Sequence, residues 1–280
     1  MNNVGKRLLV FFIGIPIIIC IVLLSFYNHL ILNICIMAAA ILGAREFYRM
    51  LAPNYKLLPL PAIMVLSGSL SVISYILGLI GLDLNIVSWI YVFEIVILMG
   101  ILAFTEKEFS NSVSELALSA LIIFYCGYLS TFISRLTVLP EYSTQFIILF
   151  FLLVFMCDSL AWFFGVLFGK STRGYVAVSP NKSLVGFLGG IIGSIASGIL
   201  MKLIYPQVFV GSFWKIIVLA IVCAISTIVG DLIESIFKRS CNVKDSGVLI
   251  PGRGGIMDSV DSLLATAPVY FIFIFFLYLR

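Results

Sequence analysis

The sequence predicts an all-α protein, a polytopic transmembrane bundle of about nine helices. Three observations predict it. Of 280 residues, 62% are hydrophobic and only 11% are charged, where a soluble domain carries about 25% charged residues. Mean hydropathy is +1.20. The apolar residues come in continuous runs of about twenty, long enough to cross a hydrocarbon core of ~30 Å as helices. A transmembrane β-barrel needs apolar and polar residues alternating in segments of about ten, and these runs do not alternate. Without water to satisfy N–H and C=O groups, a helix closes the hydrogen bonds of a continuous apolar run within itself.

The first run, Leu8–Phe26, follows Lys6 and Arg7. No small-residue cleavage site precedes the next run, so it reads as a retained helix and not as a signal peptide. Leu30–Phe47 follows after only Tyr27, Asn28 and His29, which makes a tight hairpin. Ala62–Leu79 and Ile86–Phe104 come next, the latter with a lone acid, Glu94, that no charged cluster follows and that reads as structural or of unknown role. Val113–Leu136 is the fifth span. The sixth, Phe146–Phe168, carries Asp158; the seventh, Phe187–Tyr205, opens on a polar segment; the eighth, Ile216–Phe237, ends among charges. A glycine-rich loop precedes the last, Leu263–Leu279. No internal repeat or low-complexity linker appears. The expectation is one membrane domain over residues 1–280, with hydrophobic helices in 1–140 and the chemically capable helices and loops in 141–280.

Net charge is +4, which does not argue for nucleic acid. The six cysteines match no zinc spacing and lie mostly within apolar runs, where Cys behaves as a small hydrophobe. His29 is the only histidine, which argues against a histidine-based metal site or triad. Nine spans with the N-terminus inside leave only Arg135, Lys202, Lys215 and Arg280 on the outer side, and every other Lys and Arg inside. That bias predicts a cytoplasmic N-terminus. The polar loops 169–186 and 238–262 then face the cytoplasm too, and loops held by a rigid scaffold are where function concentrates.

Asp231, Glu234, Ser235 and Lys238 follow i, i+3, i+4, i+7 and form one stripe on an otherwise apolar helix. Carboxylates near the end of a membrane helix are costly to desolvate and mark a site; the plainer alternative is an interfacial pairing with Lys238 and Arg239. Lys244 and Asp245 follow, then Gly252, Arg253, Gly254, Gly255, Asp258 and Asp261. The glycines permit close approach to a phosphate. Aspartates interleaved with Lys and Arg point to a divalent cation bridging phosphates, and oxygen ligands favour Mg²⁺ over zinc. The alternative is a flexible loop with a helix N-cap at Asp258. Asp158, deep in its span and followed by Gly169 and Lys170, is a candidate by depth alone, against a packing hydrogen bond. Ser179-Pro180-Asn181-Lys182-Ser183 before Gly186, Gly189 and Gly190 makes an anion-binding corner; Gly186, Gly190 and Gly193 serve equally as helix-packing positions. Glu46, beside Arg45 and Arg49 at a span end, reads as an interfacial salt bridge.

Together these segments resemble the phosphatidate cytidylyltransferase family, the CDP-diacylglycerol synthases. Its signature runs Ser-x-x-Lys-Arg, four residues, Lys-Asp, then Pro-Gly-His-Gly-Gly-x-x-Asp-Arg-x-Asp. Here it reads Ser235-Ile-Phe-Lys238-Arg239, Lys244-Asp245, then Pro251-Gly252-Arg253-Gly254-Gly255-Ile-Met-Asp258-Ser259-Val-Asp261. Gly230-Asp231 with Glu234, Asp158 through Lys170, and Ser179–Ser183 are similar to the family as well. The motifs cover roughly the last 125 residues. Three positions depart: Arg253 stands for the family's histidine, Ser259 for its arginine, and Val185 for an acid. If Arg253 supplies the guanidinium that Ser259 lacks, the double variant Arg253→His with Ser259→Arg keeps activity; a dead double variant contradicts this.

The resemblance implies transfer of CMP from CTP to phosphatidic acid, giving CDP-diacylglycerol and pyrophosphate for phospholipid biosynthesis. It implies catalytic roles for Asp231, Lys238, Arg239, Lys244, Asp245, Arg253, Asp258 and Asp261. Substrate contacts fall to Asp158, Lys170, Ser179, Lys182, Glu234, Ser235, Gly252, Gly254 and Gly255. It implies Mg²⁺ on Asp231 and Asp258, leaves open a second, monovalent cation such as K⁺, and implies a homodimer in the cell's inner membrane. The rival readings are a CTP-dependent lipid or polyprenol kinase, an ion- or proton-coupled transporter using the intramembrane acids, and a structural membrane protein.

Overall fold

The structure, a computed structural model, describes Gly14 and residues 16–250 and 254–279. The first part of the expected span Leu8–Phe26 therefore lies outside the described residues, and its helical stretch 16–23 (α1) is seen. The helices that follow are α2 (Phe26–Leu51), α3 (Leu60–Leu79), α4 (Ile86–Thr105), α5 (Ser112–Ile122) and α6 (Thr131–Thr137). Then come α7 (Ser143–Phe168), α8 (Leu184–Ile204), α9 (Phe213–Ser240) and α10 (Met257–Ile274). Taking α5 to α6 as one span and α10 as continuing to Leu279, eight helices among the described residues are long and apolar enough to cross a membrane. The all-α bundle that the apolar runs predict is what forms.

The chain falls into two compact units. One holds Met1–Leu139 with Cys241–Val260; the other holds Pro140–Ser240 with Asp261–Arg280. In the first, the expected tight connection is real: Tyr27, Asn28 and His29 all have positive φ, at 43°, 50° and 59°. Such backbone is costly for residues with a Cβ, and the surroundings hold it in place. The Tyr75 hydroxyl donates to the Tyr27 carbonyl. Asn33 Nδ2 donates to the His29 carbonyl at 3.2 Å and to Thr137 Oγ1 at 2.9 Å.

The fifth span is one run in the sequence but not one α-helix. Between α5 and α6 it widens into a π-helical turn, Ile123–Tyr128. The cause is a close approach of α3. A Cβ on Gly127 would lie 2.9 Å from the Ser67 carbonyl oxygen. The carbonyls that the wider turn releases are taken up locally. Ser130 Oγ donates to Gly127 O at 2.6 Å, and Thr131 Oγ1 to Tyr128 O at 2.7 Å, as the absence of water in a bilayer demands. At one end of this unit Lys56 pairs with Glu106 at 2.6 Å and Glu115 at 3.1 Å. Glu106 first, then Glu115, holds the Lys56 ammonium above its ordinary pKa range.

The second unit is built on a glycine seam between α7 and α8. A Cβ on Gly186 would stand 2.8 Å from Ala161 O, on Gly190 3.0 Å from Cys157 O, and on Gly193 2.6 Å from Met156 O. Lipid gives no hydrophobic drive to helix association, so backbone-to-backbone approach of this kind supplies the contact area. Of the two readings open for these glycines, helix packing is the one seen. Helices α9 and α10 are tied by polar pairs: Ser226 Oγ to Ala265 O at 3.0 Å, and Thr227 Oγ1 with Thr266 Oγ1 at 3.0 Å. In the last turn of α8, the buried Lys202 ammonium donates to the carbonyls of Phe209 and Gly211 beyond the helix end, at 2.5 and 2.6 Å.

Candidate functional site

Within the second unit, the C-terminal part of α7, the approach to α8, the last turns of α9 and the start of α10 carry the charged residues singled out above. Three carboxylates converge there. Asp231, Glu234 and Asp261 each offer an oxygen, and these oxygens lie within 4.8 Å of one another. The helical period explains the first two, which stand at i and i+3 on α9. The third reaches them because α9 and α10 close tightly at this level. A Cβ on Gly230 would lie 2.6 Å from Ala265 Cβ and 3.1 Å from the Asp261 carbonyl oxygen. Glu234 is 1% exposed and Asp261 6%.

Like charges this close and this buried repel strongly. Two lysines offset them. Lys182 pairs with Asp231, and Lys238 with Glu234 one turn away. Asp158 on α7 is a further acid of this unit. An all-oxygen set of this spacing fits a hard divalent cation such as Mg²⁺. Glu234, expected to contact substrate, and Asp261 share this trio with Asp231.

The segment leading into α8 is held by its own polar groups. Gly174 N–H donates to Pro180 O at 3.0 Å, and Lys182 N–H to the carbonyl of the half-buried Ser179 at 3.0 Å. Ser183 caps α8, its Oγ accepting from Gly186 N–H at 3.0 Å, while Thr172 Oγ1 accepts from Val185 N–H at 3.4 Å. Two of the helix's leading amides are therefore satisfied within the chain. Lys182 carries the segment's charge to Asp231. Lys170 and Arg239 are exposed, and Ser235 is buried.

The first unit holds the other half of the motif. Lys244 and Asp245 are exposed, and Ser246 is buried. Ile250 and Gly254 exchange both backbone hydrogen bonds, at 2.8 and 3.0 Å. Gly254 has φ +110°, closed to other residues. Gly252 and Arg253 lie outside the described residues. Asp258 Oδ2 accepts from Ser246 N–H at 2.8 Å, Ser246 Oγ at 2.8 Å and Gly255 N–H at 2.7 Å. Ser259 Oγ donates to Gly255 O at 3.3 Å.

One expectation is corrected here. Glu46 does not spend its carboxylate on a salt bridge with its arginine neighbours. Its Oε2 accepts from Met257 N–H at 2.9 Å and from Ser246 Oγ at 3.2 Å. The sequence offers one signal for this, an acid inside the end of a span. Its partners lie about two hundred residues on, beyond any local pattern.

With this geometry in hand, comparison with known proteins is specific. A model of the Cytidylyltransferase family matches residues 5–277. The chain belongs to that family. Among individual relatives, a phosphatidate cytidylyltransferase of Haemophilus influenzae is 37% identical over 162 residues, 57% of this chain and 56% of that protein. One from Staphylococcus epidermidis is 40% identical over 128 residues, 45% of this chain and 47% of that protein. The chloroplastic phosphatidate cytidylyltransferase 5 of Arabidopsis thaliana is 28% identical over 277 residues, 87% of this chain and 66% of that protein. The chain thus spans between about half and two thirds of the length of these relatives. The trio and its two lysines lie inside the matched residues.

Proposed function

We propose that this membrane protein transfers the cytidylyl group of CTP to phosphatidic acid, releasing pyrophosphate. The observation that carries this reading is the carboxylate trio with its two lysines at the ends of apolar helices. A lipid oxygen nucleophile and a nucleotide triphosphate are both anions. Their reaction needs charge neutralisation and alignment more than a covalent enzyme intermediate. The phosphatidate oxygen attacks the α-phosphorus of CTP, the bond from that phosphorus to the β-phosphate oxygen breaks, and pyrophosphate leaves.

Asp231, Glu234 and Asp261 are the residues of the second unit that would hold Mg²⁺. When bound, the ion would supply Lewis-acid stabilisation of the charge developing on pyrophosphate. Lys182 and Lys238 carry cationic heads beside the same carboxylates and bind phosphate oxygens. Helix ends at a membrane surface suit a substrate whose acyl chains remain in lipid. The Lys and Arg bias supports a cytoplasmic site in the cell's inner membrane. A monovalent second cation and a homodimer come from the resemblance alone.

Purified protein given phosphatidic acid, Mg²⁺ and CTP labelled at either the α- or the γ-phosphate tests the reading. The expected result is α-label in a lipid and γ-label in pyrophosphate. γ-Label in the lipid would make the protein a kinase. No label in lipid from folded protein would remove the enzyme reading and bring transport forward.

A further inference from the structure

The strongest arrangement that the proposed reaction does not use lies in the first unit, where α2 meets the glycine-rich segment. Glu46 Oε2 accepts from Met257 N–H on one flank of that segment and from Ser246 Oγ on the other, at 2.9 and 3.2 Å. Two glycines make the room. A Cβ on Gly247 would stand 2.6 Å from Glu46 Oε1, and a Cβ on Gly255 would collide with both Glu46 Oε2 and Ser246 Oγ. Gly255 therefore has a steric reason to be glycine that involves no phosphate. Met257 is the first residue of α10, so Glu46 also satisfies one of the amides that a helix leaves open at its start.

Ser246 joins Glu46 to Asp258. Its hydroxyl lies 2.8 Å from Asp258 Oδ2 as well, and its one proton serves one carboxylate at a time. Asp258 retains two backbone donors, Ser246 N–H and Gly255 N–H, whichever way the hydroxyl turns. The Asp258 N–H donates back to Ser246 Oγ at 3.3 Å. The orientation of Asp258 thus depends on both flanks being held, and Glu46 is a side chain from another element that bonds to both.

We propose that Glu46 is a positioning residue for nucleotidyl transfer, clamping Ser246 and Met257 so that Asp258 and its backbone donors Ser246 and Gly255 keep one geometry. The proposal rests on the cytidylyltransferase reading, in which the glycine-rich segment takes part. Glu46 acts through Asp258 and the backbone. It needs an acceptor oxygen facing two donors, so an amide at 46 preserves part of the clamp and a methyl preserves none.

The test compares the full-length protein with Glu46→Gln, Glu46→Ala and Ser246→Ala in detergent, by steady-state kinetics and by hydrogen exchange over residues 244–258. Glu46→Ala is expected to lower kcat about 100-fold, the scale of a reacting group misplaced by about an ångström. The KM for CTP should stay within about threefold, since ground-state binding is untouched. Exchange in 244–258 should rise about tenfold while α7 to α9 keep theirs. Glu46→Gln should recover kcat to within about tenfold of wild type, and Ser246→Ala should fall between the two. An unchanged kcat in Glu46→Ala, or a Gln variant no better than Ala, overturns the proposal. So does an exchange increase spread evenly over the helices. Should Glu46→Ala fail to accumulate, Glu46→Gln and Ser246→Ala decide by the same criteria. A wild-type protein without transfer activity overturns the functional reading instead, and the exchange measurement alone then upholds or overturns the clamp.

Discussion

Asp231→Asn is expected to cut turnover by about 10³-fold, the upper range for removing one preorganised charge-stabilising group. Asparagine keeps the shape of the side chain and one oxygen but removes the charge from the most open member of the trio, whose side chain is 37% exposed. The cation would keep only Glu234 and Asp261 as charged ligands, and Lys182 would lose the carboxylate it pairs with. Folding should barely register the change. A partly exposed pair at a helix end contributes about 0–1 kcal/mol, so the variant should accumulate and unfold like the parent. Turnover of purified, monodisperse variant in the labelled-CTP assay is the measurement. Near-normal turnover would take Asp231 out of the site.

Gly193→Val should act in the opposite manner, on the fold and not on the chemistry. A Cβ at 193 would sit 2.6 Å from the Met156 carbonyl oxygen and 3.0 Å from the Leu160 side chain. Leu160 has rotamers to move into; the α7 backbone does not. Valine then adds two methyl groups to the same gap, so α8 must back away from α7 along the seam. The cost should reach about 3 kcal/mol, the upper part of the range for overpacking. Gly100→Val is the matched control. It places the same side chain on α4, where nothing lies within 4 Å of the added carbon, and the change should stay within about 0.5 kcal/mol. Thermal unfolding of the two variants in one detergent checks this. Equal loss in both would mean that the seam is not what holds α7 to α8.

The parts of this protein that were legible in its sequence are those that depend on neighbours in the chain. Continuous apolar runs set the helices, because each helix closes its own hydrogen bonds. Asp231 and Glu234 were legible as a pair because their spacing matches the helical period. What the sequence left open depends on which elements meet. Gly186 and Gly190 allowed an anion corner or a packing seam, and only the carbonyls of Ala161 and Cys157 opposite them decide it. The π-helical turn at Ile123–Tyr128 follows from α3 pressing on Gly127, which no local pattern records. Asp261 reads alone as the neighbour of Asp258 at i+3; its place beside Glu234 comes from the closure of α9 on α10 at Gly230. Glu46 is the extreme case, an acid whose partner Ser246 is 200 residues away.

In the proposed reaction Asp231, Glu234 and Asp261 hold the cation on which phosphate chemistry depends. Manganese binding followed by electron paramagnetic resonance tests it without any turnover, since Mn²⁺ accepts the same oxygen ligands as Mg²⁺. Wild-type protein should bind one Mn²⁺ per chain in competition with Mg²⁺. Asp231→Asn, Glu234→Gln and Asp261→Asn should each weaken it by more than about 100-fold, beyond the loss typical of residues that only support a ligand. Equal Mn²⁺ binding by the wild type and all three variants would contradict the claim.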